Sequence, residues 1–216
     1  MAFSQVGEYV DEIEKIATMV PVIVENVAHA NPKIRYAALH AIGQLADDMP
    51  NDFQKTFSGI VMPAMIAALD DTVPRVQAHA CACITNFCEN ATKEMLLPHL
   101  QVMSAKFGQL IQNGISITKE GATTALGTFV EKIGEGFIPH FAETIQFLIT
   151  YLTQFATPEY KQFRGQAIET MTIICTAVGM DTFRPLAADV IGVMLQIQTT
   201  GLDKKDSQRI YLLSAW

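Results

Sequence analysis

Apolar residues recur along this chain with the period of an α-helix. Counting from a basic residue that opens each of five segments, the positions three, seven and ten residues farther on are mostly apolar, as in Ala38, Ile42 and Leu45 after Arg35. This spacing predicts amphipathic helices with one buried face. No segment alternates polar and apolar residues for long enough to predict a strand.

The prolines divide these segments from one another. Proline is tolerated in the first turn of a helix and disfavoured in its interior, so we interpret each of the nine prolines, Pro63 included, as a helix boundary. The predicted helices form five pairs: 12–29 with 33–48, 53–69 with 74–90, 94–112 with 117–134, 139–155 with 159–179, and 184–199 with 206 onward.

The five basic positions reveal an internal repeat. Arg35, Arg75, Lys119, Arg164 and Arg209 follow one another at intervals of 40, 44, 45 and 45 residues. Paired helices at such a period predict an all-α solenoid, in which each hairpin buries its apolar face against its neighbours. We expect one solenoid segment over 1–216, with repeats at about 12–50, 51–92, 93–136, 137–181 and 182–216. The last repeat is short, so we expect a fragment of a longer array.

The period and several strings point to a known family. Paired helices every ~40 to 47 residues are typical of HEAT or armadillo repeats. NPKIRYAALHAIGQLADDMP, PRVQAHACACITNF and IYLLSAW resemble the central part of the importin beta-3 type karyopherins. The resemblance implies about five HEAT hairpins of a right-handed superhelix that carries protein cargo through nuclear pores and shuttles between cytoplasm and nucleus.

The resemblance also implies partners. Lysines and arginines of the cargo would lie on the concave surface formed by the second helices, and phenylalanine-glycine nucleoporins would contact the first helices. Ran-GTP would release the cargo in the nucleus, but the N-terminal repeats that bind Ran-GTP most strongly match nothing in this chain.

The charge of the chain favours basic partners. Fifteen Lys and Arg against 22 Asp and Glu give a net charge of −7, which disfavours nucleic acid and attracts cations. Carboxylates and amides outside the apolar stripe could bind cargo lysines by charge-assisted hydrogen bonds. The candidate cargo-binding residues are Gln44, Asp47, Asp48, Asn86, Glu89, Asn90, Glu131, Gln166 and Glu169.

The recurrent basic residues predict a structural ladder. A basic residue at one position of every repeat is best explained by links to carbonyls and to Asp or Asn side chains of the neighbouring repeat. Asp71, four residues before Arg75, resembles the acidic partner in the HEAT motif. The predicted members are Arg35, Asp71, Arg75, Lys119, Arg164 and Arg209, and Arg75→Ala is expected to lower stability.

The sequence predicts neither a catalytic site nor a metal site. His79, Cys81, Cys83 and Cys88 are close in sequence, but Cys81 and Cys83 diverge by about 200° on a helix, which favours buried small residues over zinc. Gly134–Gly136 fails as a dinucleotide motif because Pro139 replaces the third glycine. We therefore predict no metal, no cofactor and no enzyme.

The sequence does not predict membrane insertion. The longest uncharged run, 144–158, is shorter than the ~18 residues a membrane span needs.

Two other functions remain open from the sequence. The alternative function is a HEAT scaffold or regulatory subunit of another complex, such as a phosphatase. A helical enzyme that uses the cysteines or histidines is a third possibility.

Overall fold

The computed structural model describes residues 13–155, 157–199, 202–203, 206 and 208–216. In these ranges all regular structure is helical, and no strand is present, so the all-α prediction is confirmed there. The α-helices are α1 Ile13–Ile16, α2 Val20–Asn26, α3 Pro32–Asp48, α4 Asp52–Ala68, α5 Pro74–Glu89, α6 Lys93–Leu96, α7 Leu100–Asn113, α8 Ser116–Ile133, α9 Ile138–Gln154, α10 Lys161–Val178, α11 Met180–Phe183, α12 Ala187–Thr199 and α13 Gln208–Ala215. Short 3₁₀ turns lie at Leu97–His99, Gly134–Phe137, Pro158–Tyr160 and Arg184–Leu186.

The predicted helix pairs match these elements except in the first helices of three hairpins. The first helices of three hairpins are interrupted, because short helices or 3₁₀ turns precede α2, α7 and α12. The second helices, α3, α5, α8 and α10, are continuous over 16 to 18 residues. No helix within the described ranges combines the length and the apolar character that crossing a bilayer requires.

The interpretation of every proline as a boundary is wrong for Pro63. That residue lies inside α4, whereas Pro32 and Pro74 open α3 and α5 as expected. Pro63 and Gly59, four residues earlier, are both exposed. The Gly59 carbonyl that loses its helical donor can therefore bond to water, which lowers the cost of an interior proline.

The buried positions of the second helices define a common register. The pattern of α3 recurs 42 residues later in α5, another 42 residues later in α8 and 45 residues later in α10, and we call residues related by these intervals equivalent. Its members include Ala38, Leu39, Ile42, Leu45 and Ala46 on α3; Ala80, Cys81, Ile84, Phe87 and Cys88 on α5; Ala122, Thr123, Leu126, Phe129 and Val130 on α8; and Ala167, Ile168, Met171, Ile174 and Cys175 on α10.

This register corrects the alignment based on the basic residues. The residue equivalent to Arg35 is Gln77, and Arg75 is instead equivalent to Lys33. The sequence alignment was wrong by two residues because Arg75 directly follows a helix-opening proline, and it placed Ala82, which is exposed, on the buried stripe. Arg35, Lys119, Arg164 and Arg209 remain equivalent.

The chain divides into two compact units, Met1–Ala125 and Leu126–Trp216. In the first unit α3 and α5 make the most extensive helix contact, and α2 and α4 pack against them. The close approach uses Gly43, since a Cβ there would lie 3.3 Å from the Cα atom of Cys83. In the second unit α10 packs against α9 and α13. That 1–216 is one solenoid segment with the expected repeat boundaries stays a prediction.

Candidate protein-binding face of the second helices

Exposed carboxylates end the second helices of the first unit. Asp47 on α3 and Glu89 on α5 are equivalent residues, and both are exposed in the last helical turn. Neither α3 nor α5 has a basic residue in that turn. A carboxylate near a helix C-terminus interacts unfavourably with the helix dipole, so these side chains do not stabilise their own helices. They are available to a cation from outside.

Amide and carboxylate groups surround these two residues. Gln44 Nε2 donates a hydrogen bond of 2.8 Å to Asp48 Oδ1, and the equivalent Asn86 donates from Nδ2 to the carbonyl of Gly43 at 3.4 Å. Asp48 Oδ2 is buried and has no hydrogen-bond partner. The structure therefore brings Gln44 and Asp48 together and leaves one carboxylate oxygen able to accept a further donor. Asn90 follows α5 directly and is half-buried.

The remaining candidates lie in the second unit and do not all share this position. Glu131, in the last turn of α8, is equivalent to Asp47 and Glu89 and is also exposed. Glu169 is exposed but equivalent to His40, and the half-buried Gln166 is equivalent to His79, both nearer the helix N-termini. At the position of Asp47, α10 carries Thr176. Gln166 and Glu169 were candidates because they lie outside the apolar stripe, a criterion that does not fix their position along the helix.

The predicted ladder contains an ion pair between Arg35 and Asp71. Arg35 donates from Nε to Asp71 Oδ2 at 2.5 Å and from Nη2 to Oδ1 at 2.7 Å, and its Nη1 bonds to the carbonyls of His29 and Ala30. Asp71 also accepts a bond from the backbone N–H of Val73 at 2.8 Å. Burial alone would raise the pKa of Asp71, but the bonds from Arg35 and Val73 outweigh it and hold that pKa below its ordinary value.

A corresponding contact in the second unit uses a lysine that the sequence reasoning missed. Lys161, the first residue of α10, donates to Asp206 Oδ2 at 2.6 Å, and Asp206 accepts from the backbone N–H of Gln208 at 3.0 Å. Burial alone would raise the pKa of Asp206. The bonds from Lys161 and Gln208 have the larger combined effect and hold that pKa below its ordinary value. The sequence signal that could have identified this contact is an aspartate just before a second helix, which Asp206 shares with Asp71.

The other predicted ladder residues differ in their environment. Lys119 is buried and donates from Nζ to the carbonyls of Ile111 at 2.6 Å and Gln112 at 2.9 Å, at the end of α7. Arg164 is buried and its Nε has no hydrogen-bond partner, while Arg209 is exposed. Arg75 is exposed and lies over the ring of Tyr36, with its Cζ 5.9 Å from the ring centroid.

An aromatic cluster near the N-termini of α3 and α5 was also missed. Tyr36 and His79 stack with centroids 4.0 Å apart, and His40 lies 5.4 Å from His79. Burial, followed by the charges of His40 and Arg75, lowers the pKa of His79 to about 4. Among the described residues no three His, Cys, Asp or Glu side chains are grouped to hold a metal ion. Cys81 and Cys83 are buried in the core.

Paired helices with a shared buried register and inter-hairpin links of this kind define an α-solenoid of HEAT repeats. The family model described as "Stalled ribosome sensor GCN1-like, HEAT repeats" matches residues 1–113, and the chain belongs to this HEAT-repeat family. It is homologous to importin subunit beta-3 of Saccharomyces cerevisiae, with 28% identity over 222 residues that cover 100% of this chain and 20% of the relative.

Solved structures agree with this relationship. The crystal structures of Kap121p bound to Pho4p and of Kap121p bound to Nup53p each superpose with a TM-score of 0.86 and 25% identity, over 94% of this chain and 19% of theirs. The resemblance to importin beta-3 type karyopherins and the α-solenoid prediction are thereby confirmed. The chain spans about one fifth of the length of these relatives.

Proposed function

We propose that this chain is a segment of a nuclear transport receptor that binds basic localisation signals of protein cargo. Two findings support the proposal: homology to importin subunit beta-3 along the whole chain, and the similarity to a karyopherin whose crystal structures include protein ligands. The segment would act by reversible protein binding and not by catalysis.

The observation that carries the proposal is the pair of exposed carboxylates at equivalent positions of α3 and α5. Asp47 and Glu89 have no basic residue in their own helical turn. Adjacent helices lie about 10 Å apart, so the two carboxylates could receive two lysines of one extended peptide. Glu131 supplies the equivalent carboxylate on α8.

The wider transport cycle belongs to the full-length receptor. There, Ran-GTP would release the cargo in the nucleus, phenylalanine-glycine nucleoporins would bind the first helices, and the receptor would shuttle between cytoplasm and nucleus. The proposed cargo surface in the second unit includes Gln166 and Glu169, whose positions on α10 differ from that of Asp47.

Charge reversal tests the proposal directly. The variant Asp47→Lys/Glu89→Lys should bind a lysine-rich peptide roughly tenfold more weakly or worse, because attraction becomes repulsion at two contacts. The matched control is Glu25→Lys/Glu94→Lys, which makes the same change of net charge at exposed residues of the first helices. Fluorescence anisotropy with a labelled peptide measures both.

The outcomes separate the alternatives. Equal weakening in both variants would mean that net charge, and not this site, attracts the peptide. Failure of the unaltered chain to bind any lysine-rich peptide would favour the HEAT scaffold of another complex. In the full-length receptor, peptide retention that is insensitive to Ran-GTP would contradict the transport cycle.

A further inference from the structure

A second surface of opposite character lies at the other end of α3 and α5. A groove of about 700 Å³ runs between the N-terminal halves of these helices. We call it the basic groove and define it by Pro32, Lys33, Tyr36, His40, Val73 and Arg75, which line it. None of its lining residues is a carboxylate, although the chain as a whole carries a net charge of −7.

The cations of the basic groove are not neutralised. Lys33 and Arg75 are equivalent, exposed residues of adjacent helices, and neither forms an ion pair with a described carboxylate. Asp71 lies two residues before Val73, but both of its oxygens accept hydrogen bonds from Arg35. The N-termini of α3 and α5 add positive partial charge at the same edge. The groove is therefore complementary to an anion.

The wall of the groove is fixed in position by stacking. Tyr36 stacks on the ring of His79 with centroids 4.0 Å apart, and the guanidinium Cζ of Arg75 lies 5.9 Å from the Tyr36 centroid. A guanidinium held over an aromatic face keeps its N–H groups free to bind a carboxylate, and less side-chain entropy is lost on binding. The apolar remainder of the wall can cover the stem of an acidic side chain.

We propose that the basic groove binds an acidic side chain of the same cargo peptide whose lysines contact Asp47 and Glu89. The inference rests on the proposed function for the position of those lysines. Lys33 precedes Asp47, and Arg75 precedes Glu89, by 14 residues of helix, which is about 21 Å. The peptide would turn after its last lysine and run along the helix; an extended segment advances about 3.3 Å per residue, so the acidic residue should lie about six residues from that lysine.

Three peptides test this spacing, and the two that contain Glu have identical composition. One carries Glu about six residues from the last lysine, a second carries the same Glu about two residues away, and a third carries Gln in place of Glu. The widely spaced peptide should bind roughly two- to fivefold more tightly than the closely spaced one, in line with exposed ion pairs. The difference should shrink at 1 M salt, where charges are screened within about 3 Å.

Two variants assign the effect to the groove. Lys33→Ala/Arg75→Ala should abolish the difference between the two Glu peptides, whereas the control Lys55→Ala/Lys93→Ala, at exposed residues of the first helices, should retain it. Equal affinity of the two Glu peptides for the unaltered chain, or an equal loss in both variants, would overturn the inference.

The Gln peptide keeps this test separate from the proposed function. If it binds through Asp47 and Glu89 while the spacing of Glu has no effect, only the groove proposal fails. If it does not bind, the proposed function fails, and a lysine-free Glu peptide then tests the groove alone. Binding of that peptide, lost in Lys33→Ala/Arg75→Ala, would support an acidic ligand for the groove, and no binding would exclude it.

Discussion

Arg35 donates hydrogen bonds of 2.5 and 2.7 Å to the two carboxylate oxygens of Asp71, 36 residues farther along the chain. The same guanidinium bonds to the carbonyls of His29 and Ala30, and the same carboxylate accepts the N–H of Val73. The pair thus fastens the turn before α3 to the turn before α5. Asp71 acts at once as the ion-pair partner of Arg35 and as the acceptor that holds the turn leading into α5.

Asp71→Ala should therefore destabilise the first unit. The change removes the acceptor of the Val73 N–H and leaves Arg35 half-buried without its partner, which should lower the free energy of unfolding by about 1–3 kcal/mol. Asp70→Ala is the matched control, because Asp70 is exposed and its ion pair with Lys106 should contribute little. Urea denaturation followed by circular dichroism compares them. Equal losses would show that the Arg35 contact is not special.

The same residue should make stability depend on acid pH. Because the folded-state pKa of Asp71 is below its ordinary value, its contribution is fully present above the unfolded pKa of about 3.9 and is lost as pH falls through the folded pKa. The difference in unfolding free energy between the unaltered chain and Asp71→Asn should be constant from about pH 5 to 7 and should shrink below about pH 4. Urea titrations at several pH values measure this; a difference that grows in acid would contradict it.

Arg75 and Lys119 should respond differently to truncation. Arg75→Ala should change the free energy of unfolding by less than about 0.5 kcal/mol, since Arg75 is exposed and equivalent to Lys33. This reverses the expectation from the sequence. Lys119→Ala should cost about 2 kcal/mol, because the buried carbonyl of Ile111 and the part-buried carbonyl of Gln112 lose their donor. Thermal unfolding ranks the two variants. A larger loss of stability in Arg75→Ala than in Lys119→Ala would support the alignment based on the basic residues.

The fold was predictable because buried residues recur with the period of the α-helix. Residues such as Leu39, Ile42 and Leu45 are buried on one face of α3, and a one-dimensional pattern is enough to find them. The exposure of Asp47 and Glu89 was predictable for the same reason, because they lie outside that stripe. Their role in cargo binding stays a prediction.

Contacts between helices were harder to predict. The stack of Tyr36 on His79 and the ion pair of Arg35 with Asp71 join residues 43 and 36 positions apart, so a register error of two residues reassigns the partners. The alignment on basic residues differs by two residues from one that matches Pro32 with Pro74, and only packing distinguishes them. Lys161 was missed because Arg164, three residues later, occupied the expected position.

Gly165 should be intolerant of a side chain. A Cβ at this position of α10 would lie 2.2 Å from Cδ2 of Tyr211 on α13, so Gly165→Ala must displace the ring and its 2.8 Å bond from Gln162. Overpacking of this kind costs about 1–3 kcal/mol.

The control for this change lies in the same unit. A Cβ at Gly192 on α12 would meet nothing within 4 Å, so Gly192→Ala should stabilise the unit by about 0.5–1 kcal/mol. Hydrogen exchange of α13 should accelerate only in Gly165→Ala. Unchanged protection there would mean that Tyr211 moves aside without loosening the helix.

The four cysteines should be inert in the folded chain. All four are buried and none forms a disulfide, and burial raises the pKa of Cys81 and of Cys175 to about 12 and that of Cys83 higher still. Since the thiolate is the reactive form, an aromatic disulfide reagent at pH 8 should label none of them within minutes and all four in denaturant. Rapid labelling of Cys81 or Cys83 would mean that α5 separates from its neighbours. Stoichiometric zinc that blocks labelling would support a metal site, contrary to the prediction from the sequence.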